Sequence, residues 1–441
     1  MTLKFLIVCA GSVGDVYPLV AIGSALRKRG HEVAVVANPY YESLARENDL
    51  GFHAVGTLEQ QQKMLGHPQA WHPRKGWKVW ARYGARPPMR EVFETVAREY
   101  VRGQTVVVTS WGGIGARVAQ DKLGVPTAFV YMEPDKLRSV YDPPPFALPI
   151  VTWRWLPRWF IGAEFRLLDR TVIDRVLARR LNVYRAELSL PPVRDIARSW
   201  LHSPQRVIGL FPPWWGQPQA DWPPQAVLTG FALWDRSEKV TLADDVERFF
   251  DAGAPPILFT PGAINMQAHR FFAAAIDCCQ LLGRRGILLT KHAELLPRPL
   301  PPGVRHFDYL SFIAVLPRVA AVVHHAGIGT TAQCLAAGTP QLVMPTIALS
   351  SRHGCPPAKA GRRQRPEPVA FPRTCLGAGR PQAAGKRCGH PKLPAGGRAV
   401  RRRQAHRAGL RPGGGVGRNR CRRAGITGAK TRGRSPQEFI S

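Results

Sequence analysis

Residues 319–345, VAAVVHHAGIGTTAQCLAAGTPQLVMP, decide how the chain is read. The apolar run 320–323 reads as a short buried strand, small residues follow as a loop, a helix comes next, and 341–344 is a second strand. The loop His324-His325-Ala326-Gly327-Ile328-Gly329-Thr330-Thr331 carries the chemistry. Gly327 and Gly329 lack the Cβ that would hold a ligand away from the backbone. Thr330 and Thr331 stand where the helix begins, a place that hydroxyl side chains favour. The first amides of such a helix have no intrahelical acceptor, and the macrodipole adds partial positive charge. A phosphate or diphosphate fits there, with His325 as a side-chain donor beside it. An ordinary strand–loop–helix is the bland alternative. It leaves unexplained why one loop combines His, two glycines, paired Thr and a following Gly-Thr-Pro turn.

Working outward, 441 residues are enough for two domains with a core each. Eight cysteines are scattered without C-x-x-C spacing, which fits a reducing, cytoplasmic setting better than a disulfide framework. The N-terminal apolar run is too short to span a bilayer and reads as a buried strand, and no later stretch is long enough. The net charge of +32 suggests nucleic acid at first, but the excess is uneven. Residues 351–441 hold 23 Lys/Arg against 2 Glu, whereas 1–350 hold 39 basic against 28 acidic residues. Most of the excess therefore belongs to one tail, which argues against nucleic acid as the partner.

Residues 3–9 form a continuous apolar strand of the kind buried on both faces of a parallel sheet. A loop from Ala10 to Pro18 follows, then a helix over about 19–29 and a strand over 31–37. That is a βαβ unit opening a doubly wound sheet. Its loop, Gly11-Ser12-Val13-Gly14-Asp15, is G-x-x-G and lacks the dinucleotide fingerprint, which disfavours a nicotinamide enzyme. Further strands are expected at 105–110, 125–131 and 287–290, 255–262 reads as a strand into a tight turn, and 304–312 precedes a helix ending near Arg318. Trp111-Gly112-Gly113-Ile114-Gly115 opens the helix after the strand at 105–110. His292 and His306 read as surface residues without a ligand role, and no carboxylate–histidine cluster has metal spacing.

The motif His-x-Gly-x-Gly-Thr-Thr with Leu-Ala-Ala-Gly-Thr-Pro-Gln-Leu-Val-Met-Pro resembles the donor-binding segment of GT-B glycosyltransferases. Gly-Ser-x-Gly-Asp-x-x-Pro followed by Leu-x-x-Arg-Gly-His-Glu-Val is similar to the same bacterial branch, which holds sterol glucosyltransferases and antibiotic-aglycone glycosyltransferases. The wider group is the nucleotide-sugar glucosyl/glucuronosyl superfamily. Two departures stand out: the family commonly has Gly at the place of Ala326, and Pro at the place of Ser311.

The resemblance implies an α/β chain of two facing Rossmann-like domains with a cleft between them. It implies an N-terminal acceptor domain over 1–235, a donor domain over 236–350 and a boundary near 233–240. Asp15 would be the general base for an inverting transfer, taking the proton of the acceptor hydroxyl. Helix capping is the competing role for that residue. Gly11, Ser12, Gly14, Trp111 and Glu133 would border the acceptor, with interior packing left open for Trp111. The diphosphate would lie against His325, Gly327, Gly329, Thr330 and Thr331, with Thr260 and Gly262 approaching from across the cleft. Tyr309 and Phe312 would border the nucleobase. The donor, a UDP-hexose, is a co-substrate; no cofactor is implied, and the helix terminus with His325 takes the place of a metal.

Between 141 and 215 the regular alternation breaks. Trp153, Trp155, Trp159, Phe160 and Phe165 interleave with Arg154, Arg158 and Arg166. Interdomain packing, a lipophilic acceptor pocket with a snorkelling rim, and a peripheral contact with the inner membrane face all stay open. After Pro345 the resemblance stops. Residues 351–441 hold 16 Gly, 10 Pro and no Asp, with ten Leu/Ile/Val/Phe, too few for a packed core. The sugar-contacting acidic–Gln pair that the family carries there is missing. Either this is a natural basic, disordered arm, or a GC-rich gene is read out of frame. The break falls inside a functional motif, which favours the second, and an alternate frame past about codon 346 should then restore Asp-Gln and Asn-Ala-x-x-Leu. A catalytically inactive protein that still binds nucleotide is the runner-up, and a basic-tail nucleic-acid binder the third reading.

Overall fold

The computed structural model describes residues 1–70, 75–85, 88–143, 156–234, 242–262 and 268–344. Expectations for the tail 351–441, for Trp153, Arg154 and Trp155, and for most of the boundary stretch at 235–241 lie outside these residues.

The first sheet has seven strands: β1 (Lys4–Val8), β2 (Glu32–Ala37), β3 (Gly51–Ala54), β4 (Thr105–Ser110), β5 (Thr127–Tyr131), β6 (Arg206–Gly209) and β7 (Ala226–Leu228). They lie in the order β3-β2-β1-β4-β5-β6-β7, all parallel. The second sheet has β8 (Ile257–Thr260), β9 (Gly286–Leu289), β10 (Val304–Phe307), β11 (Ala321–His324) and β12 (Gln341–Val343). Its order is β10-β9-β8-β11-β12, also all parallel.

The apolar runs follow from helices covering both faces. Side chains alternate across a strand, so Leu6 and Val8 enter one core with Val36, Val107 and Phe129, while Ile7 enters another with Val33, Val35 and Val130. The second sheet does the same, sending Ile257 and Phe259 to one side and Leu258 to the other. In each sheet the strand order reverses once, between β1 and β4 and between β8 and β11. Doubly wound sheets bind ligands at such points, off the carboxyl ends of the strands. The loops at 9–12, 111–113, 261–262 and 325–327 all lie there.

Two local expectations are corrected. The first helix runs Val13–Lys28 and passes through Pro18, rather than starting after it. Ser12 and Asp15 stabilise the first turn ahead of the proline. His306 is half-buried rather than superficial, with Nε2 2.7 Å from the Thr290 carbonyl.

Candidate active site

Asp15 lies in the first turn of the helix that follows β1, where its carboxylate accepts three hydrogen bonds. The Ser12 amide and hydroxyl donate to Oδ2 at 2.8 and 2.9 Å, and the Trp111 indole donates to Oδ1 at 3.3 Å. Asp15 thus does serve the helix start, while Oδ1 faces the loop after β4. Gly11 makes this possible: its φ is +116°, and a Cβ there would lie 2.5 Å from Asp15 Oδ2. The Gly11 carbonyl is held from behind by the Tyr41 hydroxyl at 3.0 Å and the Gln61 amide at 3.2 Å, both buried. Gly14 is exposed in the same turn. A cavity of about 30 Å3 lies beside this loop, lined by Gly11, Tyr41, Gln61, Tyr83, Met89 and Gly112.

Trp111 is therefore not a simple core residue. Its ring stacks on Trp80 at 3.7 Å between centroids, 27° from parallel. The Lys136 ammonium sits 5.7 Å over the ring and is clamped by Glu133 at 3.2 Å and Asp135 at 3.0 Å. Burial works against that charge, but the two carboxylates outweigh it and hold Lys136 above the usual lysine range. Glu133 accordingly holds Lys136 beside Trp111.

The second sheet carries the glycine-rich loop that the sequence reads as an anion site. The helix after β11 runs Ile328–Ala337 with Gly327 as its N-cap, so it begins two residues before the paired threonines. The amides of Ile328, Gly329 and Thr330 are its orphan donors. Thr331 is buried, and both its amide and its hydroxyl bond the Gly327 carbonyl at 2.9 Å. Its side chain fastens the loop instead of reaching outward. Thr260, at the end of β8, is likewise buried and pairs in register with His324. His324 is fully buried. It accepts from the Ala326 amide at Nδ1 (3.3 Å), which leaves Nε2–H to donate to Gln341 at 2.9 Å and so fixes its tautomer. Ala326 holds φ +73°, a left-handed conformation that suits glycine better.

The His325 ring lies between two glycine backbones. A Cβ on Gly262 (φ +99°) would come within 2.7 Å of His325 Cε1, and one on Gly327 within 2.6 Å of Nε2. Glycine at the ends of β8 and β11 is thus what lets the imidazole stand at the helix N-terminus. Tyr309 is exposed, while Phe312 packs partly against the core cluster of Leu310, Val315 and Leu316.

The two halves of the site meet. Ile328, first residue of the helix after β11, packs against the apolar cluster that holds Cys9 and Val16 of the Asp15 segment. Gln333 of the same helix donates to the Trp234 carbonyl at 3.3 Å, and the Trp234 ring meets Tyr17 edge-on at 5.5 Å. Trp80, Tyr41, Gln61 and Lys136 lie against the Asp15 loop and Trp111 and were not singled out in the sequence. Only the Trp-rich run around Trp80 offered a signal.

Two doubly wound sheets whose switch-point loops face one cleft define the GT-B class. Known proteins agree. The profile of the glycosyltransferase family 28 N-terminal domain matches residues 5–124. That of the erythromycin biosynthesis protein CIII-like C-terminal domain matches residues 286–354, and neither reaches further into the tail. Glycosyltransferase GtfE of Amycolatopsis orientalis is 30% identical over 366 residues, 78% of this chain and 81% of the relative. Vancomycin aglycone glucosyltransferase of the same organism is 28% identical over 358 residues, again 78% and 81%. The glycotransferase of kitacinnamycin shares the fold with a TM-score of 0.56 at 18% identity, over 78% of this chain and 81% of that one. SsfS6 of Streptomyces sp. SF2575, complexed with thymidine diphosphate, does so at 0.51 and 20%, over 79% and 83%. The chain belongs to the GT-B glycosyltransferases.

Proposed function

We propose that the protein transfers a hexose, with inversion, from a uridine or thymidine diphosphate sugar to a hydroxyl of a lipophilic acceptor. The observation that carries this is the meeting of the Asp15 segment and the anion helix through Ile328, which puts a carboxylate and an orphan-amide cluster on one cleft. Oδ2 of Asp15 already accepts two bonds; Oδ1 accepts one and keeps a lone pair for the acceptor hydroxyl. As the acceptor oxygen bonds the anomeric carbon, its proton passes to Asp15. The bond from that carbon to the donor phosphate oxygen breaks, and the electron pair leaves with the diphosphate. The amides of Ile328, Gly329 and Thr330, with His325, meet the charge that develops there. A positioned base contributes about 10²–10⁴-fold in rate.

The names of the relatives support the ligand classes: one acts on the vancomycin aglycone, and one shared-fold structure holds thymidine diphosphate. The domain limits 1–235 and 236–350 belong to this proposal, as does the role of Tyr309 and Phe312 beside the nucleobase. Proton NMR of the product tests the stereochemistry. An α-configured donor should give a β-linked product, and an α-linked product would rule out single displacement. A second reading has a specific motive, because the sugar-contacting acidic–Gln pair is missing after Pro345. On it, the chain binds the nucleotide and transfers nothing.

A further inference from the structure

Residues 158–187 form one helical run: Arg158–Leu168, a π turn Asp169–Ile173, and Asp174–Glu187. Its inner stripe recurs at helical spacing, with Ile161, Phe165 and Leu168, then Leu177, Leu181 and Tyr184, all buried. The outer side is unusual. Trp159 is 72% exposed, Leu167 60% and Val183 58%, with Phe160 beside Trp159. Between them Arg166, Arg170, Arg175, Arg179 and Arg180 are exposed, and among the described residues none makes an ion pair. Arg158 lies 4.2 Å over the Tyr141 ring.

The acids of the run do not answer this charge. Asp169 is fully buried against Arg138 and Arg198, and Asp174 holds the amides of Asp195 and Ile196. Glu187 pairs with Arg90, and Glu164 is half-buried, its carboxyl pushed up by desolvation. Five uncompensated arginines with protruding Trp, Phe, Leu and Val form a cationic, apolar-studded surface.

From this surface we propose that the run 158–187 docks on an anionic lipid bilayer. Arginines meet acidic headgroups, while Trp159, Phe160 and Leu167 gain by entering the headgroup–acyl boundary. A nucleic acid would satisfy the arginines but offer nothing to Leu167 and Val183. No described helix is long and apolar enough to cross a membrane, and docking of this kind needs none. The run is fastened to the acceptor side of the cleft: Asp169 pairs with Arg138 at 2.9 Å, two residues beyond the Lys136 that overlies Trp111. Where the lipophilic-acceptor proposal holds, docking brings the acceptor loop to the membrane that dissolves the acceptor.

Vesicle co-sedimentation of the full chain tests this without requiring catalysis. Phosphatidylcholine vesicles with about 30% phosphatidylglycerol are compared with pure phosphatidylcholine. Three variants are compared with the parent: R166E/R170E/R175E, W159A/L167A, and R401E/R402E/R403E in the basic tail. Each arginine near an anionic surface is worth about fivefold in binding. The first variant should therefore lose at least 100-fold on anionic vesicles and the second about tenfold. The tail variant should lose less than the first. Unchanged far-UV circular dichroism and unchanged binding of thymidine diphosphate exclude misfolding. The proposal is overturned if the parent ignores anionic vesicles or if the two face variants bind like the parent. It is also overturned if the W159A/L167A change has no effect while duplex DNA displaces the protein. Loss of transfer activity alone would count against the enzymatic proposal and leave this one standing.

Discussion

Substituting Gly11 and Gly14, three residues apart in one turn, should move stability in opposite directions. Gly11 has φ +116°, and a Cβ would meet Asp15 Oδ2 at 2.5 Å and Cγ at 2.9 Å. Forcing alanine into that conformation costs roughly 1–3 kcal/mol. Pushing the carboxylate aside weakens the Ser12 and Trp111 bonds, at about 1 kcal/mol each. Restricting the unfolded chain returns about 0.4–1 kcal/mol. Gly11→Ala should therefore destabilise by about 3 kcal/mol net, a fall of about 6–12 °C at 2–4 °C per kcal/mol. Gly14 is helical, and its Cβ would meet only Ser12 Oγ at 3.7 Å, so Gly14→Ala should stabilise by about 0.5 kcal/mol. Thermal unfolding followed by tryptophan fluorescence reads both. Equal effects of the two substitutions would refute the geometry assigned to the Asp15 loop.

Further outcomes follow from the same site. Trp111→Phe keeps the stack on Trp80 but removes the N–H that reaches Asp15. It should lower kcat about tenfold, the worth of one hydrogen bond to a charged group, with KM unchanged. The loss should vanish for a phenol already ionised at the assay pH, because no base is then needed; an equal loss with both acceptors would mean that Trp111 does not act through Asp15. Burial pushes His202, beside the Tyr131 hydroxyl, down to about 4. The unfolded chain takes up a proton near pH 6.5 that the folded chain refuses until about pH 4. Stability should thus fall by about 3 kcal/mol as pH drops through that window. Denaturant titrations at pH 7, 5.5 and 4 check this, and His202→Gln should flatten the slope.

The strands next to the switch points were readable because they are buried on both faces and so are written as unbroken apolar runs. Lys4–Val8, Thr105–Ser110 and Ala321–His324 are of this kind. Gly51–Ala54, Arg206–Gly209 and Ala226–Leu228 were not singled out, because three or four residues toward a sheet edge carry too little alternation to register. The loop at 324–331 was legible because glycine, histidine and a helix start are adjacent in sequence. The helix still begins at Ile328, since Gly327 suffices as its cap and Thr331 is spent on the Gly327 carbonyl. What stayed hidden is convergence across the fold. Trp80 reaches Trp111, Tyr41 and Gln61 reach Gly11, and Ile328 reaches the cluster around Val16. No local pattern marks such contacts, which arise only once the sheets close.

The measurement closest to the central claim is transfer of labelled hexose from UDP-glucose and thymidine-diphosphate glucose to a panel of lipophilic alcohols. It is run with the chain as it stands and with Asp15→Asn, alongside calorimetric binding of each diphosphate. Transfer by the parent, reduced at least about 100-fold in Asp15→Asn with diphosphate binding intact, is the predicted result. Diphosphate binding with no transfer from either donor, or transfer that survives Asp15→Asn, would contradict it.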